Sequence, residues 1–120
     1  LFVLDQDVFV NVVGGMRLSE PASDLAVLLA IASSHRRQPL APGSIAFGEI
    51  GLTGELRPVP RSEARVQEAA RLGLKRVILP AGPKQATRAL KDSLDSLHLG
   101  ASVELRYART VAEAIELGFS

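Results

Sequence analysis

The chain reads as an α/β (α+β) sandwich in which a mixed sheet is packed by helices, and three features carry that expectation. Residues 48–60, GEIGLTGELRPVP, alternate apolar and polar side chains and are punctuated by Gly48, Gly51 and Gly54, the pattern of a half-buried hairpin. Short apolar runs such as Val77-Ile78-Leu79 alternate with stretches of helical length and helical apolar spacing. The hairpin interrupts that alternation, which favours a two-layer or three-layer sandwich with a mixed sheet over a doubly wound parallel one.

Taken in order, residues 2–4 and 8–13 are rich in β-branched and aromatic side chains and predict an edge segment and a strand, the latter ended by Gly14-Gly15. A buried helix is expected over 21–34. Pro21 suits its first turn, serine its cap, Glu20 and Asp24 the positive end of its dipole, and His35, Arg36 and Arg37 the negative end. Residues 38–44, with Pro39, Pro42 and Gly43, predict a loop.

In the hairpin, Glu49, Gly51, Thr53 and Glu55 are expected on one face and Ile50, Leu52, Gly54 and Leu56 on the other, with Thr53-Gly54 as the turn and Pro58 and Pro60 stopping the second strand. A helix over 61–72 follows, and Gly73 stands where a helix commonly ends left-handed. Beyond it come a short buried strand at 75–79 closed by Pro80 and an amphipathic helix over 83–97 with leucines at 90, 94 and 97. A strand is expected at 103–107. Thr110 with Glu113 is the signature of a capping box opening a last helix.

One hundred and twenty residues is a single-domain length, long enough for a core without staples. The start at Leu1, directly on strand-like residues, predicts a piece of a longer chain whose missing upstream residues complete the sheet. With no cysteine there is no disulfide framework and no thiolate metal site or nucleophile. The longest apolar run is about half the length of a membrane span. A net charge of +1 is too small to mark the whole domain as a nucleic-acid binder, but Arg57, Arg61, Arg65, Arg71, Lys75 and Arg76 fall within twenty residues. Such a cluster suits phosphate or, equally, a solvated helix face, and Glu55, Glu63 and Glu68 dilute it.

The phrase at 48–60 running into a helix resembles the C-terminal, Lon-protease-like domain of the bacterial RadA (Sms) family of DNA repair and recombination ATPases, and FVNVVGG at 9–15 is a second phrase of the same pattern. The resemblance runs from about Asp7 to the end. It implies a ribosomal-S5-domain-2-like fold of the Lon proteolytic type, a single Lon-like domain over 1–120 at the C-terminal end of a longer protein, and a cytoplasmic location. For the upstream part it implies a four-cysteine zinc finger and a RecA-like ATPase, hence zinc and ATP with magnesium there and no cofactor here. It also implies a hexameric ring acting on DNA in branch migration.

Lon-type proteases use a serine and lysine dyad. Their Pro-Lys-Asp-Gly-Pro-Ser-Ala-Gly phrase, laid without a gap so that its last seven residues fall on 18–24, puts the family's proline on Pro21 and its nucleophilic serine on Ala22. The same ungapped count puts the family's lysine on Arg65. Alanine has no heteroatom with which to attack a carbonyl, and arginine does not lose its proton, so neither half of the dyad is chemically present. Ser19 and Ser23 stand nearby, and helix capping accounts for both. The expectation is therefore an inactive scaffold, its catalytic positions vacated and Arg57, Arg61 and Arg65 offered as a DNA-facing surface. The alternative is a Lon-type serine peptidase with a displaced nucleophile, and a plainer one is an oligomerisation domain with no DNA role. Ser34-His35 lacks an acidic orienter, two scattered histidines make no metal site, and Gly82-Pro83-Lys84 lacks the second glycine of a phosphate loop.

Overall fold

The structure, a computed structural model, describes residues 21–119; the strands expected at 2–4 and 8–13, with Gly14-Gly15 and Ser19, lie outside the described residues. A 3-10 turn at Pro21–Ser23 leads into α1 (Asp24–Arg36). The expected helix is thus present and runs a little further. It ends because Arg37 turns left-handed and donates its N–H back to the Ser33 and Ser34 carbonyls, while the Ser33 hydroxyl donates to the Gln38 carbonyl at 2.6 Å.

Three strands form a parallel sheet in the order β1 (Ser44–Ala46), β4 (Arg76–Pro80), β5 (Glu104–Ala108). Between β1 and β4 come β2 (Glu49–Ile50), β3 (Leu56–Arg57) and α2 (Ser62–Arg71); α3 (Lys84–Ser96) joins β4 to β5, and α4 (Val111–Gly118) follows. The strand β1 is an addition to what the sequence predicts, since the expected loop runs to residue 44 and the apolar run behind it is very short. The antiparallel pair β2·β3, with Ile50 opposite Leu56, hydrogen-bonds as its own two-stranded sheet. Parallel and antiparallel pairing therefore both occur, in separate ladders among the described residues.

Helices cover both faces of the parallel sheet. On one face Ile45, Val77, Leu79 and the partly buried Leu105 and Tyr107 pack with Val66, Ala69 and Ala70 of α2 and Leu90 and Leu94 of α3. On the other, Ala46, Ile78 and Ala108 pack with Leu25 and Leu29 of α1 and Ala114 of α4. Successive residues of β4 face opposite layers and all are buried but Arg76, so this strand reads as a continuous apolar run. The result is a three-layer sandwich.

Local signals close the elements. Gly73, at φ +83°, ends α2: its N–H reaches the Ala70 carbonyl and that of Leu74 the Ala69 carbonyl, the pair of bonds that defines a Schellman turn. Thr110 caps α4 by accepting from the Glu113 N–H at 3.2 Å, and Glu113 reaches back to the N–H of Arg109, one residue before the cap. The hairpin is shorter than its alternation implies. Gly54 makes the reversal at φ +85°, and Leu52 stands in solvent at 102% exposure instead of joining Ile50 and Leu56 against the core.

Gly48 is a close approach between the hairpin base and the central strand. It sits at φ +158°, and a β-carbon there would lie 2.9 Å from Cγ of Pro80, the residue that ends the central strand. Gly48→Ala is expected to lower stability by about 2 kcal/mol through overpacking, with Gly54→Ala, which meets no neighbour, costing about half that from backbone strain alone. Denaturant midpoints of the two variants measure the difference, and equal midpoints would contradict it.

Candidate functional site

The two positions to which the Lon resemblance assigns its dyad are both buried. Ala22 is 4% exposed and Arg65 9%, and Ala22 shares one apolar cluster with Val59 and Val66, the residues to either side of the α2 start. Arg65 donates from Nε to the Pro60 carbonyl at 3.2 Å, which ties the second turn of α2 to the proline that precedes it. Ser23 is fully buried at the N-cap position of α1 yet makes no side-chain capping bond, so capping is not its role.

The start of α1 is laced to the base of the hairpin. The Gly48 N–H donates to the Ala22 carbonyl at 2.8 Å, the Leu25 N–H to the Gly48 carbonyl at 3.0 Å, and the Ile50 N–H to Oδ2 of Asp24 at 3.1 Å. Helix N-termini have free N–H groups that can hold an anion or an oxyanion. Here the Leu25 amide already has a carbonyl partner, and the Asp24 carboxylate is placed at the same end.

Arg57, Arg61 and Arg65 do not form one exposed surface. Arg57 is exposed and pairs with Glu55 at 3.2 Å. Arg61 is exposed but outside the helix, at φ 63°, a left-handed conformation that residues with side chains seldom take. Arg65 is inside the helix and buried, so the expectation that Arg61 and Arg65 project together one turn apart is corrected. The spacing argument holds only within a helix, and α2 begins at Ser62. The wider cluster is also divided. Arg71 lies at the far end of α2, roughly 15 Å from its start, and Arg76 pairs across the ladder with Glu104, which Arg106 also holds at 3.1 Å. Those two arginines, Arg106 foremost, hold the Glu104 carboxyl below its ordinary pKa.

The hairpin tip is a rigid turn. Glu55 Oε1 accepts from the Thr53 hydroxyl at 2.7 Å and the Thr53 N–H at 3.1 Å, and Oε2 accepts from Arg57. These bonds, the Thr53 hydroxyl first, lower the Glu55 pKa to about 2. Gly51 is the residue over which this carboxylate folds, and any side chain there would collide with it.

Two features are not foreshadowed by the sequence patterns. A groove of about 290 Å³ opens where β4 ends, between the starts of α2 and α3, with Pro58, Ser62, Pro83, Ala86, Leu90 and Tyr107 among its walls. The Tyr107 hydroxyl is buried without a well-aligned hydrogen-bond partner; burial raises its pKa, with the Thr87 side chain opposing. The second feature is on α3, whose exposed Lys84, Arg88 and Lys91 are spaced i, i+4, i+7 on one face, with no carboxylate among residues 84–91. That stripe is visible as a spacing, but it is broken by apolar residues and reads as ordinary amphipathicity. Among the described residues, no three His, Asp or Glu side chains gather to hold a metal, and no helix is long and apolar enough to cross a membrane.

Comparison with known proteins assigns the chain. It belongs to the family described as Subunit ChlI of Mg-chelatase, which matches residues 3–83. It is also similar to bacterial DNA repair protein RadA, as the hairpin phrase indicated: 53% identical over 93 residues to that of Haemophilus influenzae and 50% over 93 to that of Escherichia coli, in each case 76% of this chain and 20% of the relative. With RadA of Bacillus subtilis it shares 44% over 115 residues, 96% of this chain and 23% of the relative. The chain thus spans about a fifth to a quarter of the length of these relatives.

The hairpin turn supplies a direct electrostatic check. Because the folded-state pKa of Glu55 lies below that of a free glutamate, about 4.3, the turn's carboxylate bonds are in place above that value and are lost as pH falls through about 2. A carboxyl-carbon NMR titration is expected to show the Glu55 midpoint near 2 and to shift it up toward ordinary glutamate in Thr53→Val. A midpoint at the ordinary glutamate value in the unaltered protein would contradict the turn described.

Proposed function

We propose that this chain is a catalytically inactive Lon-like scaffold and oligomerisation domain at the C-terminal end of a RadA-type DNA repair and recombination ATPase. The whole protein is a cytoplasmic DNA-dependent ATPase that assembles as a ring and drives branch migration, with ATP, magnesium and zinc held by domains upstream of this one. One observation carries the reading. At the position of the Lon nucleophile stands the methyl group of Ala22, and at that of its base stands Arg65, which cannot act as a proton acceptor at neutral pH. The Leu25 amide at the same helix start is taken by the Gly48 carbonyl, which leaves it unavailable to a developing oxyanion. The names of the RadA relatives supply the DNA repair context.

A peptidase with a displaced nucleophile would have to use Ser19 or Ser23, and the complete burial of Ser23 speaks against the second. A fluorophosphonate serine probe is expected to leave the domain unlabelled and casein uncleaved. Stoichiometric labelling at either serine, lost on its change to alanine, would overturn the inactive-scaffold reading.

DNA contact, where this domain makes it, falls to Arg57 and Arg61, since the covered guanidinium of Arg65 suits a structural role. In the full-length protein, Arg57→Glu with Arg61→Glu is expected to weaken DNA binding and to reduce the slope of log affinity against log salt by roughly 2, one for each phosphate no longer neutralised. Arg65→Glu is expected to lower the unfolding midpoint instead. Unchanged affinity and slope in the double variant would remove the DNA-facing role.

A further inference from the structure

Leu52 is the most exposed large apolar side chain of the described residues, at 102%, and it is held there. The carboxylate of Glu55 locks the turn behind it through Thr53 and Arg57, and Gly51 leaves no side chain to shield it. A flexible tip could fold an exposed leucine against its own surface. This one is built to project. The same chain carries a mostly apolar hollow of leucine scale, the groove between Pro58, Ala86, Leu90 and Tyr107.

Charge runs the same way as shape. The outer wall of the groove is the first half of α3, where Lys84, Arg88 and Lys91 face solvent and outnumber the one acid beside them, the exposed Asp92 one turn beyond Arg88. The hairpin carries Glu49 and Glu55 against Arg57 alone, and Glu55 is 41% exposed beside the leucine. Glu63, the one acid lining the groove, is engaged by the Ser93 hydroxyl at 2.7 Å and by Gln67. The hairpin is fixed at its base by the Gly48, Ile50 and Leu56 amides, and its fully exposed Leu52 lies outside the groove of its own chain.

We propose that copies of this chain associate head to tail, the Leu52 tip of one seating in the Pro58–Tyr107 groove of the next, with Lys84 and Arg88 beside the incoming hairpin's carboxylates. This rests on the self-association reading above and names its contact. Knob and groove are different patches of one surface, so the contact is heterologous, and repeating it closes a ring or extends a filament.

The test uses two preparations of the full-length protein, one carrying Leu52→Cys and the other Ala86→Cys, mixed and oxidised. Each preparation carries only one of the two introduced cysteines and residues 1–120 have none of their own, so a disulfide-linked peptide joining positions 52 and 86 arises only between copies, and its mass separates it from any disulfide of the cysteines proposed upstream. That peptide is expected from the mixture, and its yield is expected to fall at least tenfold when Lys84→Glu and Arg88→Glu are added to the second preparation. Leu52→Asp is expected to abolish the assembly seen by sedimentation, and Leu52→Met to retain it. An unaltered protein that sediments as a monomer would overturn the self-association reading and this contact together. One that assembles yet yields no 52–86 peptide would overturn the contact alone.

Discussion

Three backbone amides and one carboxylate hold this fold in its working arrangement. The start of α1 and the base of the hairpin are joined by the Gly48, Leu25 and Ile50 N–H groups, two of them bonded to main-chain carbonyls and the third to Asp24. Unpaired, each of these buried groups would cost on the order of 1–3 kcal/mol. Glycine at 48 is what lets the chains approach this closely, since any side chain there meets the Pro80 ring. The same lacing sets the chemical character of the region. A helix start that could have offered bare amides to an anion is sealed by a carbonyl and faced with an acid, and the residue where a nucleophile would stand is packed into the core.

Arg65 shows how a buried arginine early in a helix can be put to structural use. A lysine acting as a base must tolerate losing its charge in a desolvated site. An arginine keeps its charge, and its planar head offers several donors in fixed directions. Here one of them closes on the Pro60 carbonyl and helps fix the junction at which the chain leaves the hairpin and begins α2. The burial of Val59 and Val66 on either side makes that junction part of the apolar core.

Most of the elements are legible in the sequence because their signals are local. Gly73 ends α2, Thr110 and Glu113 open α4, Gly54 turns the hairpin, and the proline at 80 marks the end of β4. What escapes depends on contacts made across the chain. Strand β1 is three residues long and is a strand only because Arg76, Val77 and Ile78 lie beside it. The orientation of Arg65 is not readable because Arg61 looks like a helical residue; its left-handed backbone puts it outside the helix and breaks the four-residue spacing. That residue 22 is alanine and residue 65 arginine is a matter of residue identity and is read directly, whereas their burial is not. Nor is the groove, because its walls come from separate segments of the chain. The Glu55 turn lies between these cases: its residues are adjacent and Thr53-Gly54 marks the reversal, but the pattern does not show the carboxylate folding back over Gly51 to bond Thr53.

The hairpin has a second anchor whose effect reaches beyond its own stability. Besides its lacing to α1, it is bonded at the corner between β5 and α4, where the Leu56 N–H meets the Arg109 carbonyl and the Val111 N–H meets that of Gly54. It is thus hydrogen-bonded on two sides, to the start of the first helix and to the start of the last. Any load applied at its tip passes straight into the first and last helices, so a neighbour pressing there would be felt on the opposite layer of the sandwich from α2 and α3.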